Sequence, residues 1–310
     1  MGTVKRKSPG KTALSAAFLL LAAAGLVVLC LPFGASGVWR QIFSAFGLKD
    51  FSACADASPF SVHVLDVGKA DSILIQCGGK NMLVDGGTAD RGESVARYLK
   101  RRGVDALEAV VNTHPDEDHV GGLKDVISAF PVGGYYEPLL PRDLIPQTDE
   151  YRTVESALHK AGLTPAHPLP GEKFSLGGAA VRVLGPVRTG TDTNNNSIVL
   201  RVDYGKTSFL LMGDAEKEEE QDLLAGGETL SADVLKVGHH GSSTSTSEEF
   251  LRAVRPEYAA VSVGNDSNGL PKRDVLERLA ASGAEVFRTD VSGTLIFLSD
   301  GEKITVVTEK

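Results

Sequence analysis

The sequence predicts an α/β sandwich of four layers, two mixed sheets facing each other with helices outside, preceded by one transmembrane helix. Three observations predict it. Short strand-like runs fall into two groups, one between residues 61 and 136 and one from residue 180 onward, with helical patterns among them. The first group opens on strands joined by glycine turns, as antiparallel hairpins are, and then passes through a helix into a further strand, as a parallel crossover requires. An uncharged run from Thr12 to Leu31, almost entirely Ala, Leu, Val and Phe, is long enough as a helix to cross about 30 Å of hydrocarbon.

Residues 1–11 form a basic tail with Lys5, Arg6, Lys7 and Lys11, and the span covers residues 12–32. Positive charge before the span predicts a cytoplasmic N-terminus and a catalytic domain outside, at the cell membrane. The apolar run exceeds the usual core of a cleavable signal, so a retained single-pass anchor is expected. The small residues around Ala35-Ser36-Gly37 and Ser52-Ala53-Cys54-Ala55 keep a cleaved, secreted form open. Residues 33–60 read as an interfacial segment and linker, with Trp39, Ile42, Phe43 and Phe46 at helical spacing, and residues 61–310 as the folded domain.

Within that domain, strands are expected at 61–67, 72–77 and 81–84, joined by turns at Gly68-Lys69-Ala70 and Gly78-Gly79. An amphipathic helix follows at 93–102, then a buried strand at 107–111 and a helix at 123–130. Tyr135-Tyr136 closes a short strand, and residues 149–161 form a helix. The prolines at 141, 146, 165, 168 and 170 mark surface turns, and His159 and His167 read as structural or exposed. The second group places strands at 180–184, 197–204, 207–212, 233–237, 258–263, 285–288, 294–298 and 304–308. Helices are expected between them at 216–224, 248–254 and 272–281.

A hydrophobic content of 42% can fill one large core, and 23% charged residues with 14 prolines argue against extensive disorder. A net charge of −8 excludes a surface that binds nucleic acid everywhere and permits only a local basic groove. Cys30, Cys54 and Cys77 are too widely spaced for a zinc knuckle or a disulfide framework.

The stretch Thr113-His-Pro-Asp-Glu-Asp-His-Val-Gly-Gly122 carries the chemistry. His114, Asp116, Asp118 and His119 follow directly on a buried strand, and in extended backbone residues 114, 116 and 118 share one face. A turn at Asp118 would bring His119 beside them. A solvated acidic turn before a helix would also accept the acids, but not the need for two bracketing histidines. Asp214 ends a strand in Met-Gly-Asp-Ala-Glu, well placed to complete a metal site.

These residues resemble the metallo-β-lactamase superfamily, whose H-x-H-x-D-H signature this stretch matches with Asp116 in place of the second histidine. Leu83-Val-Asp-Gly-Gly87 is similar to the early aspartate motif of that superfamily and Gly213-Asp214 to its bridging aspartate. Five further stretches resemble the C-terminal domain of ComEC-type competence proteins: 63–71, 194–200, 211–216, 232–242 and 287–290. The resemblance covers about residues 61 to 300. It implies an αββα metallo-β-lactamase-type sandwich and a hydrolase with two divalent metal ions, acting on DNA during uptake. One departure is Leu270 where competence-type domains carry a late ligand histidine; the other is the absence of a polytopic channel, so separate DNA-uptake components would have to deliver DNA.

By this resemblance His114, Asp116 and Asp214 hold one ion, and Asp118, His119 and Asp214 the other, with hydroxide attacking a phosphodiester in line. Asp118 also orients the hydroxide. His239 and His240 end a strand; one can replace the missing late ligand and the other can protonate the leaving oxygen, and either fits either task. His239 is expected as the ligand and His240 as the catalytic group. Asp85 is expected to fix a ligand histidine from behind. Asn194 and Ser242 are expected to contact substrate, although the run Ser242 to Ser245 could equally cap the helix at Glu248. Mixed imidazole and carboxylate ligands suit zinc or manganese, and the carboxylate at 116 favours the harder manganese ion. Two other functions stay open: hydrolysis of a small ester, lactone or β-lactam, and an inactive binding domain at the cell surface.

Overall fold

Alternation along the strands divides the apolar side chains between one core sealed between two sheets and a core behind each sheet. Strand β1 (Phe60–Val64), β2 (Ile73–Cys77), β3 (Lys80–Val84), β4 (Ala109–Val111), β5 (Tyr135–Tyr136) and β6 (Pro165–Ala166) belong to the first sheet. The second sheet takes β7 (Lys173–Leu176), β8 (Ala179–Gly185), β9 (Val199–Tyr204), β10 (Thr207–Leu211), β11 (Val234–Lys236), β12 (Tyr258–Val261) and β13 (Glu285–Arg288). The chain then returns to the first sheet with β14 (Leu295–Ser299) and β15 (Ile304–Thr308). The computed structural model describes residues 58–264 and 269–310. The basic tail, the transmembrane anchor and nearly all of the interfacial segment expected from the sequence lie outside the described residues. Among the described residues no helix is long and apolar enough to cross a membrane.

Ile73, Ile75, Met82, Val84, Ala109 and Val111 meet Val181, Leu200, Val202, Phe209 and Leu211 in the central core. Leu74, Leu83 and Val110, one position out of phase, face away toward α1 (Gly92–Arg101), α2 (Glu117–Val120), α3 (Leu123–Ala129) and α4 (Asp149–Ala161). Leu210 and Leu235 do the same in the second sheet, toward α5 (Lys217–Ala225), α6 (Glu248–Val254) and α7 (Arg273–Ala281). Each large apolar side chain buried in these cores contributes about 1.5–3 kcal/mol. Period-two burial thus makes the expected four layers.

Sheet order is β15-β14-β1-β2-β3-β4-β5-β6 in one and β13-β12-β11-β10-β9-β8-β7 in the other, both mixed. β1, β2 and β3 form the expected antiparallel hairpins, whereas β3 to β6 run parallel, as do β10 to β13. Two strands were not expected. β6 begins at Pro165, which can sit at a strand start on a sheet edge, and the edge strand β7 exposes Lys173 and Ser175. Helix α4 has a conventional start and stop: Thr148 caps Tyr151 N–H, and Gly162 takes a left-handed conformation after the last turn.

The parallel strands position the site. Asp85 follows β3, residues 112–119 follow β4, Asp214 follows β10 and His240 follows β11, so all of them lie beyond carboxyl ends of parallel strands. Side chains from open α/β sheets converge on ligands at that edge.

Candidate metal centre

Asp85 is the anchor from which the centre is built. Fully buried and held at positive φ, its carboxylate accepts from Thr113 N–H at 2.7 Å, Thr113 Oγ1–H at 2.8 Å and His119 Nδ1 at 2.9 Å. A carboxylate only accepts, so His119 carries its proton on Nδ1 and presents Nε2 to the centre. Thr113 Oγ1, having donated to Asp85, accepts from His114 Nδ1 at 3.2 Å and orients that ring likewise. Gly122 packs against the carbonyl of Gly86 so closely that a side chain at 122 would strike it, and Gly86 N–H donates to the His119 carbonyl at 2.7 Å. The ligand loop and the loop after β3 are therefore one unit.

The second sheet adds Asp214 and His240. After β11 the chain does not continue as a strand: His239 and His240 both adopt left-handed backbone, with φ of 46° and 51°. This turns His240 inward, where it is completely buried and its Nδ1 donates to the Ser262 carbonyl at 2.9 Å. Its Nε2 lies 3.4 Å from Asp118 Oδ2 and 3.5 Å from Asp214 Oδ2. His119 Nε2 lies 3.2 Å from Asp214 Oδ1, and the rings of His114 and His119 are 4.1 Å apart. Among the described residues His114, His119 and Asp214 form one group with ligand atoms within 4.8 Å of one another, and Asp118, His119 and His240 another.

The donor set fits a divalent ion. Nε2 of His114, His119 and His240 and Oδ1 of Asp214 are all buried without a hydrogen-bond partner, an arrangement that costs free energy until something satisfies those atoms. Charges follow suit. Burial works against ionisation of Asp214, yet the surrounding imidazoles, His240 and His119 foremost, hold its carboxyl well below the usual carboxylate range. Burial likewise opposes the charged form of Asp118, and is outweighed by His240 and His119, so its carboxyl is held low. Burial and the neighbouring His119 lower the pKa of His114. For His119 burial is overcome by Asp214 and Asp85, which raise it well above the ordinary imidazole value; a cation at Nε2 would compete with that proton.

The other expected residues are arranged around this cluster. Asp116 lies at the mouth, its side chain 39% exposed and Oδ2 3.7 Å from His114 Nε2. His239 sits on the rim of the cluster: its Nδ1 donates to Glu216 Oε1 at 2.8 Å, while Nε2 lies 3.7 Å from Asp214 Oδ2. Thr244 Oγ1 and Asn194 Nδ2 donate to the same Glu216 oxygen at 2.8 and 3.3 Å, and Ser242 Oγ bonds Thr244. Asn194, His239 and Ser242 thus form a rim organised by Glu216. Leu270 packs with the core behind the second sheet, and Lys272 N–H ties that segment to the Gly241 carbonyl at 2.8 Å.

Two lysines were not anticipated. Lys236 is 1% exposed and its Nζ is 2.8 Å from Asp71 Oδ2, an ion pair buried behind His240. Burial opposes the ionised Asp71 carboxyl, but Lys236 and the imidazoles of His240 and His119 lower its pKa. A lone lysine within the apolar strand Val-Leu-Lys was the available signal. Lys69, between Gly68 and Ala70, lies at the mouth with Nζ 2.6 Å from Asp118 Oδ2 and its side chain 24% exposed.

The sandwich and the centre at its strand ends define a hydrolase fold with the ligands for divalent metal. Residues 65–264 match the Metallo-beta-lactamase superfamily, and the chain belongs to that family. It is 30% identical over 259 residues to ComE operon protein 3 of Bacillus subtilis, covering 77% of this chain and 33% of that protein. It is 37% identical over 242 residues to Recombination protein 2 of Haemophilus influenzae, covering 76% of this chain and 28% of that protein. The chain thus spans about a third of the length of these curated relatives. The metallo-beta-lactamase fold protein YhfI from Bacillus subtilis has the same fold, with a TM-score of 0.50 at 13% identity over 76% of this chain and 99% of that one.

Proposed function

We propose that this chain is a membrane-anchored, extracytoplasmic phosphodiesterase whose substrate is DNA delivered by separate uptake components. The observation that carries the phosphodiester assignment is Lys69, an ammonium held 2.6 Å from Asp118 at the mouth of the metal centre. A phosphodiester brings a negative charge to that place and a neutral ester or lactone does not. Similarity to Recombination protein 2 and ComE operon protein 3 supports DNA as the polymer. The apolar run at 12–32 would supply the anchor.

His114, Asp116 and Asp214 would hold one ion, and Asp118, His119, His240 and Asp214 a second, zinc and manganese both suiting the set. Bound divalent ions supply Lewis acidity and bring the activation of water near neutral pH. The protein's own contributions are positional. Asp85 and Thr113 fix the tautomers of His119 and His114, and the Ser262 carbonyl fixes that of His240. Lys69 meets a non-bridging phosphate oxygen. His239, whose Nδ1–H donates to Glu216 and whose side chain is 22% exposed, would as the imidazolium carry a second proton on Nε2 and give that one to the leaving oxygen. In this reading His240 is the ligand and His239 the acid, a choice supported by the left-handed turn that buries His240 and leaves His239 on the rim.

The test is turnover of bis-p-nitrophenyl phosphate and single-stranded DNA against p-nitrophenyl acetate and a lactone, by the metal-loaded full-length chain. Phosphodiester hydrolysis abolished in Asp118→Ala is expected. Turnover of the neutral esters alone would replace this function with small-ester hydrolysis, and no metal uptake would favour a binding domain.

A further inference from the structure

The two halves of the metal centre are tied together behind the ligands at two places. Beside Asp214 the tie is backbone. Ile198 N–H, just before β9, donates to the Thr113 carbonyl at 2.8 Å, and Gly213 packs so closely that a Cβ there would lie 3.0 Å from Thr113. Beside His240 the tie is an ion pair. Asp71 lies in the loop between β1 and β2, Lys236 is the last residue of β11, and the two side chains, each 1% exposed, meet at 2.8 Å.

Alternation along β11 puts Lys236 there. Val234, two residues earlier, faces the central core, as does Leu211, which pairs with Lys236 from β10. An ammonium therefore enters the space between the sheets where the neighbouring strand places a leucine. Its Nζ donates to the Val237 carbonyl at 2.9 Å, the last carbonyl before the left-handed turn, and Asp71 Oδ1 lies 3.6 Å from His240 Nδ1. On its other side Asp71 belongs to the first half: its N–H donates to the Asp118 carbonyl at 3.1 Å, and its carbonyl accepts from Gly87 N–H at 2.7 Å. A continuous path thus leads from Asp118 through Asp71 and Lys236 to the turn that carries His240. Its two ends are the ligands whose side chains approach to 3.4 Å.

Stability alone does not call for this pair. Apolar side chains of similar volume would hold the sheets together about as well, because desolvation cancels most of what the buried charges gain. Apolar contact is non-directional, however, whereas an ammonium held by a carboxylate and a carbonyl fixes a separation. The ligand groups divide in the same way as the ties. Asp118, His119 and His240 form the group beside the ion pair, and His114, His119 and Asp214 the group beside the backbone tie. We infer that Asp71 and Lys236 are positioning residues for the second ion: their pair sets the distance between Asp118 and His240, while the first ion depends on the tie at Thr113. This role rests on the two-ion centre proposed above and not on the nature of the substrate.

Zinc titration of the metal-free, full-length chain in competition with a chelating dye tests this without any substrate. The unsubstituted chain is expected to bind two ions. Asp71→Leu with Lys236→Met removes both charges and keeps an apolar contact, and urea unfolding is expected to show that this double variant folds. It should hold the first ion at its original affinity and bind the second at least about tenfold more weakly, the lower end for outer partners of a metal ligand. Should the double variant not fold, Asp71→Asn, which keeps the shape of the side chain, is expected to give the same selective loss. In Asp118→Ala, where the second ion is already weakened, the double substitution should change little further. Two unchanged affinities, two equally weakened ones, or loss of the first ion instead of the second would make the pair a structural element only and overturn its positioning role. Fewer than two ions on the unsubstituted chain would contradict the two-ion centre itself, before any variant is compared, and the role of the pair with it.

Discussion

The two sheets contribute to the centre in different ways. The first supplies His114, Asp116, Asp118 and His119 from one loop after β4, braced by Asp85 from the neighbouring strand. The second supplies single residues from two separate strand ends, Asp214 after β10 and His240 after β11. Local sequence therefore specifies the first contribution, while the second exists only because β10 and β11 pair in parallel, Phe209 opposite Val234, and end at the same edge. One half is a motif and the other is a product of topology.

The comparison breaks most severely at Asp214, where the halves meet. Asp214→Ala should remove metal and reduce kcat/KM by more than the ~100-fold typical of outer-shell partners; near-normal turnover would mean that the first loop alone suffices. Asp85→Asn sharpens the account of the first half: it should cost about 10–100-fold in metal affinity, read by competition with a chelating dye, with the fold retained. Behind the second half, Lys236→Met leaves Asp71 as an uncompensated buried charge. A loss of about 3 kcal/mol in urea unfolding is expected, and Lys236→Met with Asp71→Leu should recover most of it.

A pH-dependent effect concerns the helix after Asp214. Burial pushes the Glu219 carboxyl up to about 8 from 4.5, although Val187 N–H donates to it at 2.9 Å. Because the folded chain holds this proton more tightly than the unfolded chain, stability falls as pH rises from about 4.5 toward about 8. Glu219→Gln keeps the acceptor and removes the charge, so its Tm advantage should be absent in acid and grow across that window. A uniform shift at all pH values would point to packing instead.

The same asymmetry explains what the sequence disclosed. Thr113 to Gly122 could be read as a ligand loop because its chemistry is contiguous, and the sandwich because alternation in β2, β3 and β10 is regular. β6 and β7 were hidden by Pro165 and by polar residues on a sheet edge. Which of His239 and His240 is buried was hidden because a strand extrapolated through Gly238 alternates their directions, whereas the chain turns left-handed at both. Lys69 and Lys236 lie far from their partners Asp118 and Asp71 in character as well as in sequence, since a lysine in a turn or a strand ordinarily faces water.

The most direct measurement is the metal content of His240→Ala and His239→Ala in the full-length chain by elemental mass spectrometry, beside the unsubstituted protein. If the second half completes the centre through His240, His240→Ala loses bound metal while His239→Ala keeps the full content and loses turnover. Metal lost from His239→Ala and retained in His240→Ala would contradict it.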